Sequence, residues 1–135
     1  MASNLNLTNA IVTAQAQLIA DALGSGYLRI YQGAQPATAD TAIGVQVLLA
    51  ELRFAATAEA SVVDGLITFA ALTPEDSILV SDTAAFFRAL ESDGATVVMD
   101  GSAGTAACDL NLNSVELSAG AELSITDMEY TVVKA

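Results

Sequence analysis

The stretch Ala85-Phe86-Phe87-Arg88-Ala89-Leu90-Glu91-Ser92-Asp93-Gly94-Ala95-Thr96-Val97-Val98-Met99-Asp100-Gly101 decides how the rest of the chain is read. Two β-prone runs flank Asp93-Gly94, a pair favoured in type I′ turns because both central residues need positive φ. The spacing predicts a hairpin. Side chains alternate along a strand, so Phe87 and Ala89 share one side while Phe86, Arg88 and Leu90 share the other. The returning strand sets Val97 and Met99 on one side, Thr96 and Val98 on the other. A hairpin apolar on both faces belongs in the middle of a sheet with a cover on each side. In so short a chain the second cover is the protein's own helix or a neighbouring subunit.

Upstream, residues 8 to 23 predict one helix, capped by Thr8 or Asn9. Ile11, Ala14, Leu18 and Ala22 follow helical spacing as the core stripe, widened by Val12 and Ile19, and Gly24 supplies a left-handed stop. From Gly26 the period changes to two. Tyr27 to Tyr31 places Leu28 and Ile30 inward and Arg29 outward. A loop from Gln32 to Gly44 follows, with Gly33, Pro36 and Asp40 as turn formers. Val45 to Ala55 reads as a strand with Leu48, Ala50, Leu52 and Phe54 on one face, Glu51 and Arg53 on the other. Thr57 to Ala60 reads as a loop or bulge. Val62-Val63 and Leu66 to Phe69 form a second hairpin around Asp64-Gly65, then Thr73 to Asp76 turns and Ile78 to Val80 is a short strand.

Downstream of the opening hairpin, Asp100 to Gly104 reads as a loop and Asp109 to Asn113 as a strand. Ala119-Gly120 turns the chain, and Leu123 to Val133 is the last strand. About eight strands at this spacing predict a mainly β fold, an antiparallel β-sandwich of jelly-roll or immunoglobulin-like form with one N-terminal α-helix. Residues 1–25 form an arm and helix, and residues 26–135 the sandwich, as a single domain overall.

Composition narrows the function. The chain has 135 residues, 53% of them hydrophobic and 15% charged, enough for one core and too hydrophobic for disorder. No apolar run is long enough to span a membrane, and Met1 to Leu7 lacks the basic residues of a secretory signal. Four basic residues against sixteen acidic ones give a net charge of −12. Such a chain cannot neutralise a phosphate backbone and is repelled by an anionic membrane, so neither nucleic acid nor membrane is an expected partner. Acidity suits a surface that stays soluble at high local density, or one that docks on a basic partner.

The chain contains no His, which removes the commonest general base and metal ligand and every Ser-His or Cys-His arrangement. Carboxylate pairs such as Asp64 with Asp76, or Asp93 with Asp100, are expected by chance among so many acids, and two of these four already serve turns. Cys108 is a lone cysteine and reads as a small buried hydrophobe. Asp109, Asn111 and Asn113 echo the start of a calcium loop, but Ser114 replaces its sharp-turn Gly and Gly120 its bidentate Glu. The glycines at 101 and 104 open no helix and suggest no phosphate loop. No catalytic residue, cofactor or metal site is expected. Arg29, Arg53 and Arg88 fall in mid-strand, where structural pairing with carboxylates such as Glu51 and Glu91 is favoured over partner recognition.

Several segments in order carry a resemblance: Leu28 to Asp40, Leu48 to Leu52, Phe87-Arg88, Thr96 to Ser102 and Asp109 to Asn113. Together they resemble a widespread group of small proteins encoded in the structural-gene regions of tailed bacteriophages. The likeness runs over most of the chain, with the acidic stretch Glu59 to Asp82 as its main departure. It implies a β-rich virion component, a capsid decoration (cement) protein that clamps major capsid protein subunits on the capsid surface after synthesis in the bacterial host cytoplasm. A homo-oligomer, trimer or dimer, is expected.

A tail, neck or baseplate component is the nearest alternative. A carbohydrate-binding adhesin module, using Tyr27 and Tyr31 as a glycan strip beside Arg29, is another. The expected partner-interface residues are Leu5 and Leu7 on the arm Ala2 to Leu7, Tyr27, Arg29 and Tyr31, Gln35 and Pro36 in the polar loop, and Phe86 and Arg88 in the hairpin.

Overall fold

The Phe86 hairpin stands at the centre of the largest sheet. The computed structural model describes residues 5–125 and 127–132. Among them are one helix, α1 (Asn9–Leu23), and ten strands: β1 (Tyr27–Gln32), β2 (Val47–Arg53), β3 (Glu59–Val63), β4 (Leu66–Phe69), β5 (Asp82–Thr83), β6 (Phe86–Leu90), β7 (Val97–Gly104), β8 (Leu110–Asn111), β9 (Glu116–Leu117) and β10 (Glu129–Thr131). The fold is mainly β. A five-stranded sheet runs β2-β1-β6-β7-β8, a three-stranded sheet β10-β4-β3, and β5 pairs with β9.

All five residues of β6 are buried, as a strand with neighbours on both edges and covers on both faces requires. Its turn differs from the expected type I′. Asp93 keeps a negative φ and Gly94 alone turns positive, at 67°. The connection runs from Glu91 to Thr96, closed by the Glu91 amide donating to the Thr96 carbonyl at 2.9 Å. The cause is the Asp93 carboxylate, which accepts from the amides of Ala95 and Thr96 and from the Thr96 hydroxyl. These bonds stabilise a longer turn than two residues allow. Asp64-Gly65 adopts the tight form instead, with φ of 51° and 84° between the paired Val63 and Leu66.

Thr8 caps α1 by accepting from the Ile11 amide at 3.3 Å. The buried side is Val12, Ala16, Ala20 and Leu23, so the expected stripe is rotated: Leu18 is 72% and Ile11 49% exposed. Small side chains at 16 and 20 let the helix lie close against β3, β4 and β7. Gly24 is no left-handed stop either. Its φ is −54°, and Ser25 takes the positive φ. A Cβ on Gly24 would stand 2.7 Å from the Ala56 carbonyl, so glycine there serves close approach.

Other boundaries move as well. Asp100 to Gly104 continues β7 rather than forming a loop, because Arg88 and Phe86 pair with Asp100 and Ser102 across the ladder. The chain then turns tightly and sets Leu110 beside Ala103, so β7 and β8 run parallel in an otherwise antiparallel sheet. Ile78 to Val80 is not a strand; Ile78 enters the core while Leu79 and Val80 face out. In the last expected strand, Glu129–Thr131 alone is regular, and residues 126 and 133 lie outside the described residues. A bulge in β2 skips Leu49 between the pairs Tyr31–Leu48 and Ile30–Ala50, which leaves Leu48 half-buried and buries Leu49.

One core cluster joins Ala16, Ala20 and Leu23 of the helix with Leu28, Ile30, Leu52, Phe87 and Ala89 of the large sheet and Ile67 and Phe69 of β4. Phe86, Tyr31 and Arg88 are equally buried but lie outside this cluster, on the reverse face of the large sheet. Residues 39–43 lie over that face, alongside Tyr31, Arg88 and Leu90. The chain's own loop thus contributes the second cover, through the Thr38 carbonyl on Arg88 and Gln35 on Asp100.

The three hydrogen bonds hold the Asp93 pKa near 2, below its ordinary 3.8. A carboxylate whose pKa is depressed by folding stabilises the fold above its unfolded pKa, and that contribution disappears as pH falls through the folded value. In urea unfolding, wild type should exceed Asp93→Ala most at neutral pH. The gap should narrow as pH drops from 3.8 toward 2. A gap independent of pH would contradict this account of the turn.

Candidate functional site

The reverse face of the large sheet carries a row of charge set by strand register. Arg29 on β1 sits directly opposite Glu51 on β2 and, on its other side, opposite Arg88 on β6. Arg88 in turn faces Asp100 on β7. The row therefore reads Glu51, Arg29, Arg88, Asp100 across four strands. Like charges directly opposite one another in a sheet repel. Each arginine here leans away from the other toward its outer acid: Arg29 Nε donates to Glu51 Oε2 at 2.7 Å, and Arg88 Nη2 to Asp100 Oδ2 at 3.0 Å.

The two ion pairs differ in burial. The side chains of Arg29 and Glu51 are 25% and 34% exposed, those of Arg88 and Asp100 only 4% and 7%. Partial burial alone would lower the Arg29 pKa, but its bond to Glu51 and the fields of Glu51 and Tyr31 outweigh this and raise it. The buried pair is held from the loop side too. Arg88 Nη2 also reaches the Thr38 carbonyl at 3.4 Å, and Gln35 Nε2 donates to Asp100 Oδ1 at 3.1 Å. Gln46 ties the loop's ends by donating to the Ala34 carbonyl at 2.6 Å.

Between this loop and the Glu91–Thr96 turn lies a groove of about 550 Å³, lined among others by Arg29, Tyr31 and the largely buried Arg88. Asp40, Thr41 and Thr96 add polar walls, and Ile43, Leu90 and Val97 apolar ones. A second hollow, of about 470 Å³, lies between residues 111–118 on one side and residues 121–125 with Asp127 on the other. Glu116, Glu122 and Asp127 contribute to its wall.

The sequence-derived interface residues are split by the fold. Leu5 is exposed and Leu7 half-buried, while residues 2–4 of the arm lie outside the described residues. Tyr31, Phe86 and Arg88 are buried and offer no free surface, a correction to their expected outward role. Tyr31 and Phe86 stack with centroids 5.1 Å apart, directly opposite each other across β1 and β6. Tyr27 is half-buried beneath two guanidinium groups, with Arg53 4.4 Å and Arg29 5.7 Å from its ring centre. Gln35 is exposed yet bonded to Asp100, and Pro36 is half-buried.

Arg29 pairs with Glu51, one of the two carboxylates the sequence offered without assigning a partner, and Arg88 pairs with Asp100, which the sequence did not offer. Sequence reasoning missed Asp100 because Gly101 and Gly104 made the segment look like a loop. Counting the register outward from the hairpin turn would have set it near Arg88. The calcium-like run is committed to its own backbone: Asp109 accepts from the amide and hydroxyl of Ser102, and Asn111 from the Cys108 amide. Among the described residues no cluster of three or more His, Cys, Asp or Glu side chains could hold a metal ion.

Removing one partner from a buried ion pair strands the other charge, at a cost of about 3–5 kcal/mol, whereas a half-exposed pair contributes about 1 kcal/mol at most. Urea unfolding should accordingly place Asp100→Ala in the first range and Glu51→Ala in the second. Replacing Arg88 and Asp100 together by leucine should be milder than Asp100→Ala alone. Equal effects of the two single variants would contradict the burial argument. In comparisons with known proteins, no family model, curated protein or solved structure matches this chain.

Proposed function

We propose that the chain is a non-enzymatic virion structural protein of a tailed bacteriophage, a decoration (cement) protein that binds the outer surface of the major capsid protein lattice. The observation that carries this reading is the outward apolar stripe of α1. Ile11, Ala14 and Leu18 have helical spacing suited to burial, yet they face away from the core. Further exposed apolar side chains lie before β2 and beside it. Val45 is 96% and Leu79 56% exposed, and the Leu79 amide bonds the Leu49 carbonyl of that strand. Apolar patches on a chain of net charge −12 suit a molecule that meets larger neighbours at defined places and is solvated elsewhere.

The resemblance of Leu28–Asp40 and the later segments to phage structural-region proteins supports the same reading. Among the described residues no helix is long and apolar enough to cross a membrane. The five-stranded and three-stranded sheets stand, in this reading, as two layers of an open sandwich, a view supported by the one core cluster drawn from both. The protein assembles as a trimer or dimer and acts by mass action, since binding the assembled lattice and not the free subunit stabilises the lattice. A glycan-binding role is less well supported, because both faces expected to stack on sugar are occupied: Tyr31 by Phe86 and Tyr27 by arginines.

Ile11→Asp combined with Leu18→Asp changes exposed positions and should leave the fold intact. Each large aliphatic side chain is worth about 1.5–3 kcal/mol on full burial, so the pair should weaken lattice binding by about tenfold or more. Co-sedimentation with assembled capsids, against unassembled capsid subunits, reads this directly. Equal binding to both forms, or particles that keep their heat resistance without the protein, would overturn the reading.

A further inference from the structure

Asp-Gly bonds occur in the chain at Asp64-Gly65, Asp93-Gly94 and Asp100-Gly101. Such a bond is open to a slow rearrangement, because glycine sets no side chain beside its own amide nitrogen. That nitrogen, its proton passed to water, attacks the aspartate Cγ. The carboxyl hydroxyl leaves and takes a proton back, as water, and a cyclic succinimide closes. Water then adds to either ring carbonyl. Cleavage at Cγ restores aspartate, whereas cleavage at the original main-chain carbonyl leaves isoaspartate, whose main chain runs through Cβ and Cγ. One water is released and one taken up, and nothing is oxidised or reduced. The step needs a protonated carboxyl free to swing onto the nitrogen, and a backbone that opens to admit it.

The fold meets these needs differently at the three bonds. The Asp100 side chain, 7% exposed in the middle of β7, is bonded to Arg88 at 3.0 Å and to Gln35 at 3.1 Å. Freeing it strands a buried guanidinium. Asp93 accepts from the Ala95 and Thr96 amides and the Thr96 hydroxyl, bonds that favour its ionised form. The Gly94 amide is itself held by the Glu91 carbonyl at 3.0 Å. Asp64 is exposed at the tip of the β3–β4 hairpin, and among the described residues its carboxylate has no hydrogen-bond or ion-pair partner. Its φ of 51° lies in the left-handed region, which a residue with a Cβ occupies at a cost, so this turn is the least firmly closed.

The same turn seats the helix. The Gly65 amide donates to the Thr13 hydroxyl at 3.2 Å, and its carbonyl accepts from the Val132 amide at 2.9 Å. A Cβ on Gly65 would stand 3.0 Å from Val12 Cγ2. A two-residue turn between the paired Val63 and Leu66 has no room for a further main-chain methylene, so isoaspartate there must shift Gly65 against α1.

We propose that Asp64-Gly65 is a site of spontaneous covalent modification, the aspartyl bond of this chain that converts fastest to isoaspartate, and that the conversion loosens the first turns of α1 from the β3–β4 hairpin. The inference is independent of the virion reading, since it concerns the isolated chain alone.

The test ages the full chain for weeks, warm and at neutral pH, beside a second sample unfolded in urea. Peptide mass spectrometry with electron-transfer fragmentation then locates isoaspartate residue by residue. In the folded chain it should build up at position 64 about tenfold or more faster than at 93 or 100, while in urea the three rates should converge. Asp64→Asn suits the left-handed position and reaches the same succinimide by losing ammonia, so it should yield isoaspartate faster still. In the aged form, separated from the fresh one, the amides of residues 12–16 should exchange faster. Another aspartate converting as fast as Asp64 in the folded chain, or the same ranking persisting in urea, would overturn the assignment of the site. Unchanged exchange at residues 12–16 would overturn its effect on α1.

Discussion

A guanidinium sealed inside a sheet is the constraint on which this structure depends. Arg88 lies in the central strand, and taking such a charge out of water costs several kcal/mol unless it is paired and bonded. Asp100 provides the pair, which fixes the register of β6 against β7. Thr38 and Gln35 provide further bonds, which fix the loop between β1 and β2 over the reverse face of the sheet. Arg29 stands directly beside Arg88 and is tolerable there because Glu51 draws it the other way. Four strands and one loop are thereby locked to one another by a single row of side chains. Such a row discriminates against slippage: moving any of the four strands by one residue would turn its charge into the apolar core.

The loop's position changes what the molecule needs from its neighbours. A hairpin apolar on both faces demands two covers, and the chain supplies both, the core with its helix on one side and residues 39–43 on the other. The edge of β2 is closed as well. Arg53 pairs with Thr73, and the Glu51 amide bonds the Glu75 side chain at 3.0 Å. Outward and apolar among the described residues are the stripe of α1, Val45 and Val47, Leu79 and Val80, and singly Leu5, Val63 and Tyr130. Contacts with larger partners, in the assembly role proposed for the chain, would start there rather than at the buried ribbon.

Much of the fold was legible because its signals are local. The central strand, the helix with its Thr8 cap and the tight Asp64-Gly65 turn follow from residue type and spacing over a few positions. The rotation of the helix was not legible. Ile11, Leu18 and Ala22 form a good stripe, and so do Val12, Ala16, Ile19 and Leu23; tertiary fit chose the one with small residues at its centre. The longer turn at Asp93 escaped because its side chain bonds three residues onward compete with the preference of Asp-Gly for a tight turn. Of the site, Arg29 and Glu51 were legible as mid-strand charges suited to structural pairing, but which acid meets which arginine was not. Asp100 and the covering loop were not, since both depend on register and on a long-range return of the chain.

The central claim is that β6 is satisfied within one chain. Amide hydrogen exchange of Phe86–Leu90 in a dilute monomeric sample, repeated at high concentration, tests it most directly. The account predicts slow exchange at the rate of global unfolding in both samples. Fast exchange in the dilute sample that slows on concentration would mean that a neighbour supplies the second cover, and would contradict it.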